Sequence, residues 1–572
     1  MTAMFLHRTH RRCRKLALCA AIALSTLATG GVMAGNADID TTYVFGGGFL
    51  RELGPYTTRG TSGALQPDGK LLLVGVPYDV NGYSDFGIAR HLAEGEPDFS
   101  FGAGTSQTVF DLFNQNNEAT EVAYSSAGIY LAGYSFNGAF AYMTVARLTH
   151  AGALDTSFGI NGKVSIQMGT WSMINGIAVQ RDGKIVLVGV SEDPTTKQDY
   201  VVVRLNTDGS TDSSFGLGGK VRIPLSTNDN DSAHGVVVRD DGSILVVGET
   251  RIGSQFSTDV ICLNQYGDLN PSFGIDGIAR LARTGYNLYG RAIALDMEGN
   301  AVVASNALQF SPYLRGINMT RLNTNGTLDT SYNGGVGHVF TPLAAQAVYD
   351  LNAMEVLPTG QALAVGQIMI HNGDTTSIFS ARFNEGGMLD PAYNNGVGYK
   401  LGDVGGTIAN QAMAEFVSIL PNGRFYVGGH AQSKIFALRY QGDPLDLVPN
   451  QLSYIPYINV ARSTVQTSQQ MYVNGLSPGA RVPVTVSGGM YSVNGGPATR
   501  APGLVDNGDS IRLIHTSSAS YSTTATTTLY IGGLTPANNR SNIIGDRMVA
   551  SFESTTAPLP AGGGGGGGGH EP

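Results

Sequence analysis

The chain has 572 residues and is 42% hydrophobic, so it can bury a large core. Only 14% of it is charged, against ~25% in an average soluble protein, and glycine supplies 78 residues, which indicates many tight turns rather than long charged helices. The formal net charge of −9, with no basic cluster past residue 15, argues against nucleic acid as a partner.

Residues 1–34 read as a secretory leader. A basic stretch from Arg8 to Lys15 precedes an apolar run from Leu16 to Leu27, and Val32-Met33-Ala34 supplies small residues for cleavage after Ala34. The run is shorter than the ~20 residues needed to span a bilayer. The protein is therefore expected to be exported, extracellular or at the cell surface, without a membrane span in the mature chain. Cleavage would leave 30 Lys+Arg against 44 Asp+Glu, a net charge of −14, and Cys262 alone, so no internal disulfide is expected.

A repeat runs through most of the chain. Leu154-Asp155-Thr156-Ser157-Phe158-Gly159 recurs as Thr211-Asp212…Phe215-Gly216, Leu269-Asn270…Phe273-Gly274, Leu328-Asp329…Tyr332 and Leu389-Asp390…Tyr393. An earlier copy runs from Pro97-Asp98 to Phe101-Gly102, with degenerate ends at Asp40…Tyr43 and Leu445-Asp446. The Asp/Asn positions are 56 to 61 residues apart, which makes seven units of about 58 residues. In phase with them run hairpin turns such as Asp68-Gly69, Asp182-Gly183 and Asp241-Gly242, each followed by a continuous apolar run such as Leu71–Val74, Ile185–Val188 or Ile244–Val247. Continuous runs indicate strands buried on both faces. Each unit is read as four strands, in the third unit about 163–167, 176–180, 184–189 and 199–205. The fold class expected is all-β: a seven-bladed β-propeller over residues 35–447.

Arg90, Arg147, Arg204, Arg321 and Arg382 each stand eight residues before the repeat Asp, at Asp98, Asp155, Asp212, Asp329 and Asp390. Arg439 stands seven before Asp446, and in one unit Cys262 and Asn270 replace both charges together. Structural Arg–Asp pairs repeating around the ring are expected, because loss of one buried partner is far costlier than loss of both. With eight Asp/Asn positions for seven units, Asp40 or Asp446 should lie outside the ring.

Strand alternation sorts the loops onto two faces. The Asp-Gly turns and the LDxSFG segments share one uniform face, and the other face varies freely. Variable loops over a rigid scaffold carry binding residues, so the candidates are Trp171, the only Trp, with Tyr286, Tyr289, Asp229 and Asp231. The 228–231 Asn-Asp cluster lacks the spacing of a calcium loop. No catalytic residue, metal site or cofactor is expected, since no nucleophile elbow, paired-His spacing or phosphate loop occurs.

After Asp446 the rhythm stops. Residues 448–556 show strand signals about every ten residues, as in Val482–Val486 and Ser510–Leu513, and suggest a β-sandwich. Residues 557–572, with Gly562 to Gly569, read as a Pro/Gly-rich flexible tail.

The LDxSFGxxGxV segment, the DGK turn, the apolar strand ending in Gly and the following Arg together resemble the bacterial delta-60 repeat family, over about 400 residues. The resemblance implies a propeller-like fold and no common activity. The stretch Val484–Gly495, with Asn507-Gly508-Asp509 and Leu529–Gly533, resembles an Ig-like module of bacterial exported proteins. The leading functional expectation is a monomeric binding protein of the cell envelope, whose partner is a polysaccharide or another protein. The alternative is a propeller-fold enzyme acting on extracellular polysaccharide, which requires a carboxylate pair at the central funnel.

Overall fold

The computed structural model describes residues 36–560, apart from 55–57, 114–115, 194–196, 227–228, 344–347, 370–375, 403, 405–411 and 536–542. The proposed leader and the glycine run lie outside the described residues. Strands dominate, and two segments build the whole.

From residue 36 to 442, the described strands form seven antiparallel sheets. The second is typical: Asn116–Ser125 lies innermost, then Gly128–Phe136, Ala141–Leu148 and, at the outer edge, Lys163–Ile166. The apolar runs become the second strand of each sheet, and Ile185 to Val188 are completely buried. Burying each such aliphatic side chain contributes roughly 1.5–3 kcal/mol. The glycine of each Asp-Gly turn adopts a positive φ, +81° at Gly69 and +83° at Gly183, which L side chains rarely reach.

The expected grouping of strands is off by one. Lys163–Ile166 pairs with Ala141–Leu148, Lys163 opposite Ala146, and so belongs to the second sheet rather than the third. The physical cause is local: after the LDxSFG turn the chain returns antiparallel onto the strand it has just left. Each of the first six sheets therefore borrows its outer strand from the next sequence unit.

Seven apolar clusters hold the sheets together, each joining two neighbours, and one of them extends into the C-terminal unit. One joins the last sheet to the first, with Phe416, Tyr426 and Ile435 packed among Leu65, Leu71 and Leu73. The seventh sheet (Met413–Ile419, Phe425–Ala431, Lys434–Gly442) receives its outer strands from the beginning of the chain, with Ile39 opposite Tyr440 and Phe49 opposite Ala437. The contacts thus run in a closed cycle, and the architecture is propeller-like.

Residues 447–557 form a second unit of two sheets. One is five-stranded, in the order Tyr457–Val460, Met548–Thr556, Thr524–Ile531, Val482–Ser487, Gly503–Val505. The other places Ser510–Thr516 beside Val465–Thr467, Met471–Tyr472 and Met490–Val493. Their buried side chains, among them Val484, Leu513, Leu529 and Phe552, share one cluster that continues into the sixth and seventh sheets through Leu447 and Leu452. Among the described residues no helix is long and apolar enough to cross a membrane.

Candidate functional site

The seven inner strands surround a channel of about 900 Å³. Each carries a β-bulge at the same height, where one extra residue stands opposite the second strand. A bulge re-aims the side chain of the extra residue. The seven bulged residues are Thr61, Thr120, Asn175, His234, Arg291, Asn352 and Glu415; all are polar, and all line the channel. Three of them also donate to a backbone carbonyl of the next sheet. Thr120 Oγ1 donates to Ile174 O at 2.7 Å, Asn175 Nδ2 to Ala233 O at 2.9 Å, and Asn352 Nδ2 to Ala414 O at 3.0 Å.

The bulge explains the glycine that ends most of the apolar runs. A Cβ at Gly133 would stand 1.9 Å from the carbonyl oxygen of Glu118, and one at Gly189 2.0 Å from that of Met173. The close approach of the inner strand leaves room for hydrogen alone at these positions.

Ionisable groups concentrate here. Arg291 Nη1 lies 2.6 Å from His234 Nε2 and 3.0 Å from Glu249 Oε2, and His234 Nε2 lies 3.1 Å from the same carboxylate oxygen. Burial holds His234 below the ordinary histidine range, against the opposing charge of Glu249. Arg59 pairs with Glu118 at 2.5 Å. Glu121 accepts a hydrogen bond from Ser62 Oγ at 3.0 Å. Burial, with the charge of Glu415 added, pushes Glu121 up to about 8 despite that bond. Burial likewise raises Glu415 to about 7 against the pull of Arg59. Glu355, whose carboxylate accepts the Ile419 N–H at 3.0 Å, is also raised by burial to about 7. Three carboxyl groups near neutral pH can therefore donate as well as accept.

None of the five residues expected to bind on the variable face lines the channel. Trp171 is half-buried immediately before the inner strand Ser172–Val179. Tyr286 is held between the Arg283 guanidinium at 4.0 Å and the Phe340 ring at 5.3 Å. Tyr289 stacks near Phe256 at 4.8 Å, and Asp229 stands 3.8 Å from Arg251. Asp231 is completely buried; its carboxylate accepts the amides of Leu225 and Ser226 and the Ser226 hydroxyl, so it organises its own loop.

The repeated charge pairs form at 2.6 to 2.9 Å for Arg90–Asp98, Arg147–Asp155, Arg204–Asp212, Arg321–Asp329 and Arg382–Asp390. The expected Arg439–Asp446 pair does not form. Arg439 pairs instead with Asp40 at 2.8 Å, because the first strand completes the seventh sheet. Asp446 turns away to accept the Val448 amide, its own N–H bonded to Ser477 Oγ. Each guanidinium also lies over the aromatic ring of its repeat segment, at 4.4 to 5.2 Å.

Composition and turn chemistry do not reveal the channel residues. A periodic signal does exist: a polar residue precedes the apolar end of every inner strand once per repeat, as in Asn175-Gly-Ile-Ala-Val and His234-Gly-Val-Val-Val.

A family model described as a domain of unknown function (DUF5122), β-propeller, matches residues 66–101, 180–215 and 239–273. These segments run from the hairpin turn to the aromatic of the repeat segment, and the chain is similar to a propeller-like repeat family there. No curated protein matches the chain in sequence. Among solved structures, the β-propeller domain of the Trilobed protease from Pyrococcus furiosus, described as having an open velcro topology, is 8% identical with a TM-score of 0.36 over 68% of this chain and 97% of that one. PorZ, described as an essential surface component of the type-IX secretion system of Porphyromonas gingivalis, is 10% identical with a TM-score of 0.35 over 85% and 58%. Drosophila Semaphorin 2a is 9% identical with a TM-score of 0.37 over 92% and 99%.

Proposed function

We propose that the chain is an exported, monomeric binding protein of the cell surface. In this reading residues 1–34 are its leader. Residues 35–447 are a seven-bladed propeller of delta-60 repeats, and residues 448–556 an Ig-like module. Its ligand is a neutral, hydroxyl-rich polysaccharide bound in the central channel, with the variable rim around the mouth. The observation that carries this reading is the ring of bulged polar side chains around the 900 Å³ cavity. Hydroxyls, carboxamides and protonated carboxyls both donate and accept, which suits sugar hydroxyls better than a phosphate backbone or an apolar ligand.

The test is retention of the full chain on immobilised neutral and acidic polysaccharides. Arg291→Met and Glu415→Leu are expected to abolish retention, while Trp171→Ala and Tyr286→Ala weaken it. Retention that survives both channel substitutions but is lost with Trp171→Ala moves the site to the rim. Retention on none of the polymers defeats the carbohydrate reading in favour of a protein partner.

A second reading, hydrolysis of the bound polymer, is favoured by one observation. Glu121 and Glu415 line the same cavity, and a carboxyl pair is what protonates a glycosidic oxygen and attacks or activates water. Released oligosaccharides that disappear with Glu121→Gln would establish it.

A further inference from the structure

We infer that the C-terminal unit completes the ligand site by flooring the channel, so that the cavity is blind and receives the end of a polymer rather than a threaded internal stretch. This rests on the reading of the channel as the ligand site. Leu534, Thr535 and Ile544 of the C-terminal unit line the cavity together with Leu65, Val356 and Ile419, the last residues of three inner strands. They enter at the end of the channel beside the Asp-Gly turns. Leu534 and Ile544 bond to each other through both backbone pairs, at 2.9 and 2.8 Å, and form a closed neck.

The neck is seated. Ile544 is 2% exposed and packs in the same cluster as Leu65 and Phe416 of the channel wall. The unit behind it is docked on the same face of the propeller-like segment: the Arg481 amide donates to Pro358 O at 3.3 Å, and Arg481 Nη1 reaches Glu298 at 3.3 Å. The opposite end differs in chemistry, being lined by Arg59, Asp350, Gln367 and His430. An apolar floor facing a polar mouth makes a pocket of definite depth. A polymer can enter such a pocket only by a terminus, and the mouth lies on the variable face.

The floor can be tested without any ligand. With Cys13, Cys19 and Cys262 replaced by Ser, a single Ser418→Cys places a thiol low in the channel, and Met413→Cys places one higher on the same strand. A polyethylene-glycol maleimide is expected to modify Met413→Cys readily and Ser418→Cys slowly. Adding Ile544→Ala should speed modification at 418 several-fold and leave 413 unchanged. Fast modification at 418 with the neck intact, or an equal rise at both positions, overturns the floor. Thr535→Gly serves in the same way if Ile544→Ala fails to fold.

The ligand arm compares linear and cyclic glucan oligosaccharides of equal length. Binding of the linear form alone supports end recognition, and equal binding of the cyclic form overturns it. Binding of neither overturns the carbohydrate reading of the channel, while the thiol rates still decide whether the floor is closed.

Discussion

Arg239 Nη1 donates to Thr324 O at 2.7 Å, and its guanidinium lies 5.6 Å from the Phe273 ring. In the other sheets that cation comes from the third strand. Arg90, Arg147 and Arg321 donate to His150 O, Thr207 O and Glu385 O, the carbonyls in the same turn position as Thr324 O, and lie over Phe101, Phe158 and Tyr332. In the fourth sheet the third strand offers Cys262, and the guanidinium arrives instead from the first position of the hairpin turn, where other units carry Gln66, Gln180 or Leu357. The cation is conserved in space although its sequence position is not.

Arg239→Met is therefore expected to cost about 1–3 kcal/mol, more than an ordinary surface substitution, since it removes a ring contact and a charge-assisted hydrogen bond. Adding Cys262→Arg and Asn270→Asp should recover most of the loss. Urea unfolding of the two variants checks this, and absence of recovery would show that the sites are independent.

Arg204 and Asp212 are buried together at 2.7 Å, with Ser214 and Lys184 also on the carboxylate. Asp212→Asn should cost ~3–5 kcal/mol, because it leaves the buried Arg204 without its counter-charge, and Arg204→Leu should cost less than that, because Lys184 stays on Asp212 at 3.0 Å. The double variant should lose clearly less than the two single losses added, as the natural Cys262/Asn270 unit implies. A double-mutant cycle by thermal unfolding reads the coupling, and additive losses would contradict it.

Stability should fall as pH rises from about 5 to about 8.5. Glu121, Glu355 and Glu415 have raised values in the fold, about 8, 7 and 7, so the folded chain holds protons that the unfolded chain releases above its ordinary carboxylate range. Their favourable share is complete below about 4.5 and is lost as pH passes through the folded values. Asp98 works in the opposite sense. Against the burial that raises it, Ser100, Arg90 and Lys70 hold it down to about 2, so its contribution disappears on acidification. Glu121→Gln should flatten the alkaline limb of the melting temperature against pH and leave the acid limb in place.

Asn352→Ala should destabilise the junction of the sixth and seventh sheets by about 1 kcal/mol, through the donor lost to Ala414 O. Hydrogen exchange in 413–419 should accelerate, with the second and third sheets unchanged. Uniform acceleration would mean that the bulge bond is not local in effect.

The sequence by itself determined the repeat, the buried strands, the turns and the Arg–Asp charge pairs, because these depend on residues near one another in the chain. Leu71–Val74 must be buried and Gly69 must turn, whatever surrounds them. The borrowed outer strand, the pairing of Arg439 with Asp40 rather than Asp446, and the substitution of Arg239 for the missing arginine were decided by tertiary structure. Each depends on which of two chemically similar partners the cycle of sheets brings close. The same holds for the channel. Thr61, Asn175, His234, Arg291 and Glu415 are unremarkable singly in sequence and become one ring only because seven bulges occur at one height. The raised values of Glu121 and Glu415 need carboxyls that are part-buried and brought near one another's charge, and that setting exists only once the inner strands are assembled.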